Sequence, residues 1–451
     1  MTFYVWGCPS AKMTNFSKCC LLRQVLRKAL TFKFVSPGHC GLRHSFSTEE
    51  KNKLLKYLIA KIKLSGPITV AEYMKTVLTS PTSGYYMNRD VFGSKGDFIT
   101  SPEISQMFGE MIGVWCVNEW SNLYAGQNIQ VVELGPGRGT LSDDMLRVFS
   151  QFADIRDHVS LHLVEISPKL SQLQAERLTN KTTEATTAKM NNYGESINGE
   201  TLGPYRQEIS KYGQKVFWYR ALEDVPSGLS FFIGHEFLDA LPIHKFQKTE
   251  KGWCEVLVDV DDESDSSLRF VLSPGPTAAS VSFLKVLEND DRCHIEVCPA
   301  AGQIVQEVSK RIQQHGGFAL FADYGHSGEK GDTFRGFQKH ELHDPLLEPG
   351  SADLTADVDF SYLKGCAKEV SVFGPITQQS FLMNMGIGVR LQMLLQKARQ
   401  ENWKTLLTGY DMLTNPEKMG QRFKFFAMIK PTSEDYVPAG FVMPEFLKSQ
   451  R

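Results

Sequence analysis

No run of about 18 apolar residues occurs in this 451-residue chain, so nothing in it reads as a membrane-spanning helix. No C-x-x-C pair occurs, and Cys293 and Cys298 have no partner ligands near them in sequence. The nine cysteines therefore suggest neither a metal site nor a disulfide framework. A net charge of −2 supplies no bulk basic field, and no nucleic-acid partner is expected. The most uneven absence is of acid. No Asp or Glu precedes Glu49, whereas Lys12, Lys18, Arg23, Arg27, Lys28, Lys33 and Arg43 all do. An acid-free lead bearing Lys and Arg has the composition of a mitochondrial transit peptide, and Arg43-His-Ser-Phe-Ser47 resembles a matrix-processing site. The expectation is a transit peptide over 1–46 and a mature protein in the mitochondrial matrix, where Cys116, Cys254, Cys293, Cys298 and Cys366 stay reduced.

The nucleotide motif is also defined by what it lacks. In Val131-Val-Glu-Leu-Gly-Pro-Gly-Arg-Gly-Thr140 the glycines fall at 135, 137 and 139, not in the G-x-G-x-x-G order of nicotinamide-binding turns. Arg138-Gly-Thr140 has no lysine, which excludes a P-loop. What is present is an apolar strand, a bare loop, and a helical spacing at Leu141, Met145, Val148, Phe149 and Phe152. A helix N-terminus offers unpaired N–H groups to an anion. Glu133 at the strand end would repel phosphate but accept an ammonium. S-adenosylmethionine (SAM) carries both a carboxylate and an amino group, and is the cofactor expected. A second strand, Leu161–Val164, delivers Glu165, placed to hold ribose hydroxyls.

Further along, helical patterns run over 49–64 and 70–78. Ser101 reads as an N-cap with Pro102 at the first helical position, and the helix continues through Ile104, Met107, Met111 and Trp115. Helices are expected at 140–152, 168–178 and 303–313. Strands are expected at 129–133, 160–165, 216–219, 229–233, 318–322 and 425–429. Residues 179–215 read as a long polar loop and 244–298 as β-rich. Strands alternating with helices predict an α/β fold with a doubly wound, mostly parallel sheet.

Five motifs occur in order: Gly96-Asp-Phe-Ile-Thr-Ser-Pro-Glu103, Glu133-Leu-Gly-Pro-Gly-Arg-Gly-Thr140, His235-Glu-Phe-Leu-Asp-Ala-Leu-Pro242, Asp323-Tyr-Gly325 and Leu354-Thr-Ala-Asp-Val-Asp-Phe360. Together they resemble the MidA family of SAM-dependent methyltransferases, in its branch tied to mitochondrial complex I assembly. The resemblance implies a Rossmann-like methyltransferase domain over 126–430, with insertions at 179–215 and 244–298. It further implies an N-terminal helical lid segment over 47–125 and a C-terminal tail over 431–451. Gly135, Gly137 and Gly139 would form the cofactor loop, with Glu133 near the methionine amino group and Glu165 on the ribose. The turn at 221–224 would lie against the adenine. The Gly96–Glu103 segment would cover the cofactor, contributing Asp97 and Ser101.

The implied activity is protein arginine methylation, giving symmetric dimethylarginine on a peripheral-arm complex I subunit, the iron–sulfur protein 2. Glu236 and Asp239 follow the fourth strand, three residues apart. On one helical turn both would face the substrate as catalytic carboxylates. The well-known cytosolic arginine methyltransferases have a Thr-His-Trp loop, and this chain has none, so its catalytic layout differs. Two other readings stand beside this one: a SAM-binding assembly chaperone of complex I without catalysis, and a small-molecule methyltransferase.

Overall fold

Val131 and Val132 are both fully buried, yet they belong to different apolar clusters. The same alternation holds for Phe231 and Phe232 and for Leu320 and Phe321. Strands buried on both faces belong at the centre of a sheet covered by helices on each side. The computed structural model covers residues 48–87, 99–179, 203–264, 266–284, 291–430 and 436–441. The expected transit peptide, Asp97 and residues 180–202 lie outside it.

Ile129–Leu134 (β1) sits in the middle of a nine-stranded sheet. Numbered within that sheet, the others are Val159–Val164 (β2), Arg206–Ile209 (β3), Lys215–Tyr219 (β4), Ser230–His235 (β5), Gly317–His326 (β6), Val358–Asp359 (β7), Ser371–Thr377 (β8) and Phe423–Ile429 (β9). The spatial order is β8-β9-β6-β5-β1-β2-β4-β3, with β7 beside the end of β6. β6, β5, β1, β2 and β4 run parallel, while β9 is antiparallel to β6. Chain order reverses at β1: β2 and β4 follow on one side, β5 and β6 on the other. In such sheets ligands bind beyond the carboxyl ends at that switch.

One face is covered by the helices Gln106–Leu123 and Thr140–Ser150, the other by Pro299–His315 and Phe360–Cys366. Gln106–Leu123 is buried over most of its circumference. Its two buried acids both have partners: Glu110 is paired with Arg390 and Arg147, and Glu119 accepts from Tyr436 and the Ala439 amide. Residues 436–441, expected as tail, therefore pack against this helix.

Several expectations are corrected. The predicted helix through Ser101 and Trp115 is two helices, Ser101–Ile104 and Gln106–Leu123. Ser105 is extended between them and caps the second by accepting from the Met107 amide. The residue preceding the first is Thr100, so Ser101 is not its N-cap. Within the expected 179–215 loop, Arg206–Ile209 forms an edge strand antiparallel to β4.

The β-rich stretch is a separate five-stranded sheet built from His244–Thr249, Gly252–Val260, Leu268–Leu272 and His294–Val297, together with Ile68–Thr69. Ile68 pairs with Val258, and the helices Thr48–Ser65 and Val70–Thr79 pack on this sheet. The expected 47–125 segment is thus divided between the inserted sheet and the central core.

Candidate active site

The loop after β1 is built from left-handed backbone. Gly135, Gly137 and Gly139 have φ of 63°, 53° and 75°. A Cβ at Gly135 would meet the Phe237 ring at 2.6 Å. Only glycine takes such a series without strain. Thr140–Ser150 starts directly after it, so its free N–H groups face the loop.

Two carboxyls back the loop. Glu133 is 3% exposed and accepts from Ser142; burial pushes its pKa up to about 8. Glu165 lies just past β2, accepts from the Ser167 amide at 2.7 Å and from Gln174 Nε2 at 3.0 Å, and is pushed by burial up to about 7. Gln174 ties these parts together. Its Nε2 also donates to the Gly137 carbonyl at 2.8 Å, and its Oε1 accepts from Trp218 Nε1 at 2.9 Å.

Across the switch point, β5 ends on a turn that carries the second half of the site. Glu236 has φ of 48°, a left-handed conformation unusual for a side chain this size. No helix follows it, which corrects the expected placement of Glu236 and Asp239 on one helical turn. Asp323 holds the turn: its Oδ2 accepts from the amides of Phe237 at 3.1 Å, Leu238 at 2.9 Å and Asp239 at 3.4 Å. Glu236 Oε1 accepts from the Ser101 amide at 3.2 Å, and Asp239 Oδ2 from Thr355 Oγ1 at 2.8 Å. Burial first, then the Asp239 charge, drives the Glu236 pKa well above the carboxylate range. Burial lifts Asp239 to about 6. Asp323 is also raised, by burial and then by Asp239 and Glu236, against the pull of its amide donors.

A cavity of about 470 Å³ joins the two halves. Its walls include Gly135, Gly137 and Glu165 on one side and Glu236, Asp239, Tyr324 and Asp353 on the other. Its size is that of a small-molecule site. Asp353 accepts from the Tyr86 hydroxyl at 2.6 Å, and the Tyr86 carbonyl accepts from Ser167 Oγ at 2.7 Å. A larger groove of about 870 Å³ lies at the opposite edge of the sheet, by Asn128, Arg156, His158 and Lys215. It is remote from the loop and at the strand ends where this sheet type places no ligand.

The short helix Ser101–Ile104 lies over the loop. Glu103 accepts from Thr140 and, at 3.4 Å, from Arg138, while the Ser101 hydroxyl is buried with no partner among the described residues. Of the residues expected from sequence, Gly135, Gly137, Glu165, Glu236 and Asp239 share the large cavity. Glu133 lies behind the loop, Gly139 is the residue preceding the helix, and Ser101 touches the site through its amide. The 221–224 turn is not among the cavity's walls. His326, the last residue of β6, accepts from the Gly328 amide at 3.0 Å. Gln174, Glu103, Asp353 and Tyr86 were not foreseen. A glutamine inside the apolar face of the 168–179 helix was the one visible signal, for Gln174.

The residues present fit SAM. The left-handed loop admits close backbone approach, Glu133 suits an ammonium, Glu165 suits ribose hydroxyls, and the Ser101 hydroxyl has donor and acceptor capacity to spare. No group of three or more His, Cys, Asp or Glu suited to a metal occurs among the described residues. A loop of this form at the switch point of this sheet defines a Rossmann-like, SAM-dependent methyltransferase.

Comparison with known proteins agrees. Residues 111–376 match a family described as "putative S-adenosyl-L-methionine-dependent methyltransferase". Over 383 residues the chain is 52% identical to protein arginine methyltransferase NDUFAF7, mitochondrial, of Xenopus laevis, with 84% of each chain covered. Over 380 residues it is 53% identical to the Homo sapiens protein of the same name, with 83% of each covered. In structure it resembles a COG1565 superfamily member of Burkholderia thailandensis bound to S-adenosyl-homocysteine. The TM-score is 0.68 at 24% identity, over 85% of this chain and 94% of that one, which shows the shared fold. The chain belongs to the MidA-type family of SAM-dependent methyltransferases. Its relatives are named mitochondrial, and it is assigned to the mitochondrion with them. No helix among the described residues is long and apolar enough to cross a membrane.

Proposed function

We propose that the chain is a protein arginine N-methyltransferase of the mitochondrial matrix. Its product is symmetric dimethylarginine on a peripheral-arm subunit of complex I, the iron–sulfur protein 2, and it supports complex I assembly. The observation that carries this reading is the meeting of Glu236, Asp239 and Asp353 in one cavity with the glycine loop. Buried carboxyls raise one another's pKa, and an entering guanidinium relieves that repulsion. The relatives' names support arginine as the target. The matrix location is supported by the acid-free lead.

SAM supplies the methyl group and a good leaving group. The chain's residues supply the rest. Gly135–Gly139, Glu133, Glu165 and Ser101 bind and orient the cofactor, with Asp97 a further contributor outside the described residues. Glu236 faces the guanidinium, offsets the repulsion between two cations in a dry site, and aligns one nitrogen for attack. It then accepts the proton that nitrogen loses. Asp239, oriented by Thr355, pairs with the second edge of the guanidinium. Asp323 keeps Glu236 in place through the turn amides.

Mass spectrometry of complex I subunits from mitochondria with and without this protein tests the reading. The expected result is loss of symmetric dimethylarginine from the iron–sulfur protein 2 subunit. An unchanged arginine methylation pattern, with complex I assembly still impaired, would favour the assembly-chaperone alternative.

A further inference from the structure

β5 ends on His235, whose Nε2 has no hydrogen-bond partner among the described residues although the residue is 9% exposed. The ring is held between Phe108, with centroids 4.8 Å apart, and Phe423, near-parallel at 6.1 Å. Nε2 lies 3.2 Å from Glu236 Oε1 but is not aligned to bond it. Behind the glycine loop is a second chamber, of about 40 Å³, walled by Glu133, Thr140, His235 and Glu236 among others. A buried water needs roughly 10–15 Å³ and two to four polar partners. The chamber offers both. Glu236, with Gly135 and Gly137, lines both this chamber and the large cavity, and it is the titratable group they share.

We infer that His235 and a water in this chamber form the exit path for the proton that methyl transfer delivers to Glu236. The inference rests on the arginine reading above. Two cations enter the reaction. As the nitrogen–carbon bond forms and the carbon–sulfur bond breaks, one methylated guanidinium, one neutral thioether and one proton result. The nitrogen's proton passes to the Glu236 carboxylate, then to the chamber water and His235 Nε2, and then to solvent. That leaves Glu236 as the anion that pairs with the methylated guanidinium. Burial holds the His235 pKa at about 3, so the proton crosses the ring without resting there. The charged groups that share the chamber with His235 are Glu236 on its own turn and Glu133, Glu103 and Arg138. Phe108 and Phe423 present only apolar rings. His235 acts through Glu236 and is a positioning and relay residue.

The test is single-turnover methyl transfer to an arginine peptide between pH 6 and 9 with His235→Phe and His235→Ala, alongside calorimetry of SAM binding. The expected result is a loss of roughly tenfold or more in transfer, SAM affinity within threefold, and an altered pH profile. Substituted imidazoles should restore His235→Ala to a degree that follows their basicity, which a packing role would not produce. Transfer by His235→Phe at the unmodified rate and pH profile would overturn the relay, as would a fall in SAM affinity matching the fall in rate. If the unmodified protein moves no methyl to arginine, the function above fails instead. Nitrogen-15 NMR of the unmodified protein and Glu236→Gln then decides this point alone. A shift of the His235 Nε2 resonance supports the coupling, and an indifferent resonance ends it.

Discussion

The two halves of the site are made in opposite ways. The cofactor half comes from one short stretch: β1, its loop and the helix after it, with Glu165 one strand later and Gln174 nine residues beyond. Its backbone does the shaping. The acidic half is gathered from afar. Glu236 and Asp239 follow β5, Asp323 lies on β6, Asp353 comes from the three-stranded sheet near 335–355, and Tyr86 reaches Asp353 across 267 positions. Its side chains do the shaping, and an insertion between β5 and β6 separates its parts. A ligand shared by many enzymes can be held by a local device. A particular substrate is recognised by what the insertions bring.

The largest effect should come from the local half. Gly137→Val forces a branched side chain into φ of 53°, a strain of about 1–3 kcal/mol before any contact with ligand. Calorimetry should find SAM binding abolished; binding within tenfold of the unmodified protein would mean that the loop backbone is not at the ligand. The acidic half breaks differently. Glu236→Gln should keep SAM affinity within a few-fold while single-turnover transfer drops roughly 10²–10⁴-fold, with Asp239→Asn milder. Undiminished transfer by Glu236→Gln would move suspicion to Asp323. Asp323→Ala leaves three turn amides without their acceptor and should cost at least about 2 kcal/mol of stability, read by denaturant melts. It should slow transfer more than it weakens SAM binding.

A smaller effect separates the halves by pH. The Glu133 carboxyl is raised to about 8, so its protonated form stabilises the ligand-free fold below the ordinary carboxylate range, and that contribution is lost as pH rises through about 8. Glu133→Gln should lessen the fall in melting temperature between pH 5 and 8. It should also remove a rise in SAM affinity between pH 6 and 7.5, which ionised Glu133 gives by meeting an ammonium. An identical pH dependence in the variant would place Glu133 away from the cofactor's amino group. Smallest of all, Glu223→Ala on the 221–224 turn should leave SAM affinity within twofold in the same calorimetry, since that turn does not wall the cavity.

The sequence revealed what is local and concealed what is not. The glycine spacing, the apolar β1 and the two strand-end acids all lie within about 35 positions, where periodicity and turn chemistry are read directly. Arg206–Ile209 was missed because an edge strand with alternating exposure need not be apolar. The break at Ser105 hid inside an apolar spacing that both helices share. Glu236 was placed on a helix because nothing in His235-Glu-Phe-Leu-Asp announces a left-handed glutamate; the turn amides bound by Asp323, 84 to 86 positions later, hold it there. No local rule reports a constraint that arrives from so far along the chain.

The pairing of Ile68 with Val258 has a consequence in time. Thr48–Ser65 and Val70–Thr79 lay their apolar faces on a sheet whose strands other than Ile68–Thr69 begin at His244, so these helices cannot bury that surface until some 190 further residues are available. A chain made or threaded N-terminus first therefore presents these helices earliest and completes them among the last. Contacts of that separation slow folding and prolong the exposure of apolar surface. Leu54, Leu58, Ile62, Tyr73 and Val77 form the stretch that a holding chaperone would meet first, well before the glycine loop has emerged to bind anything.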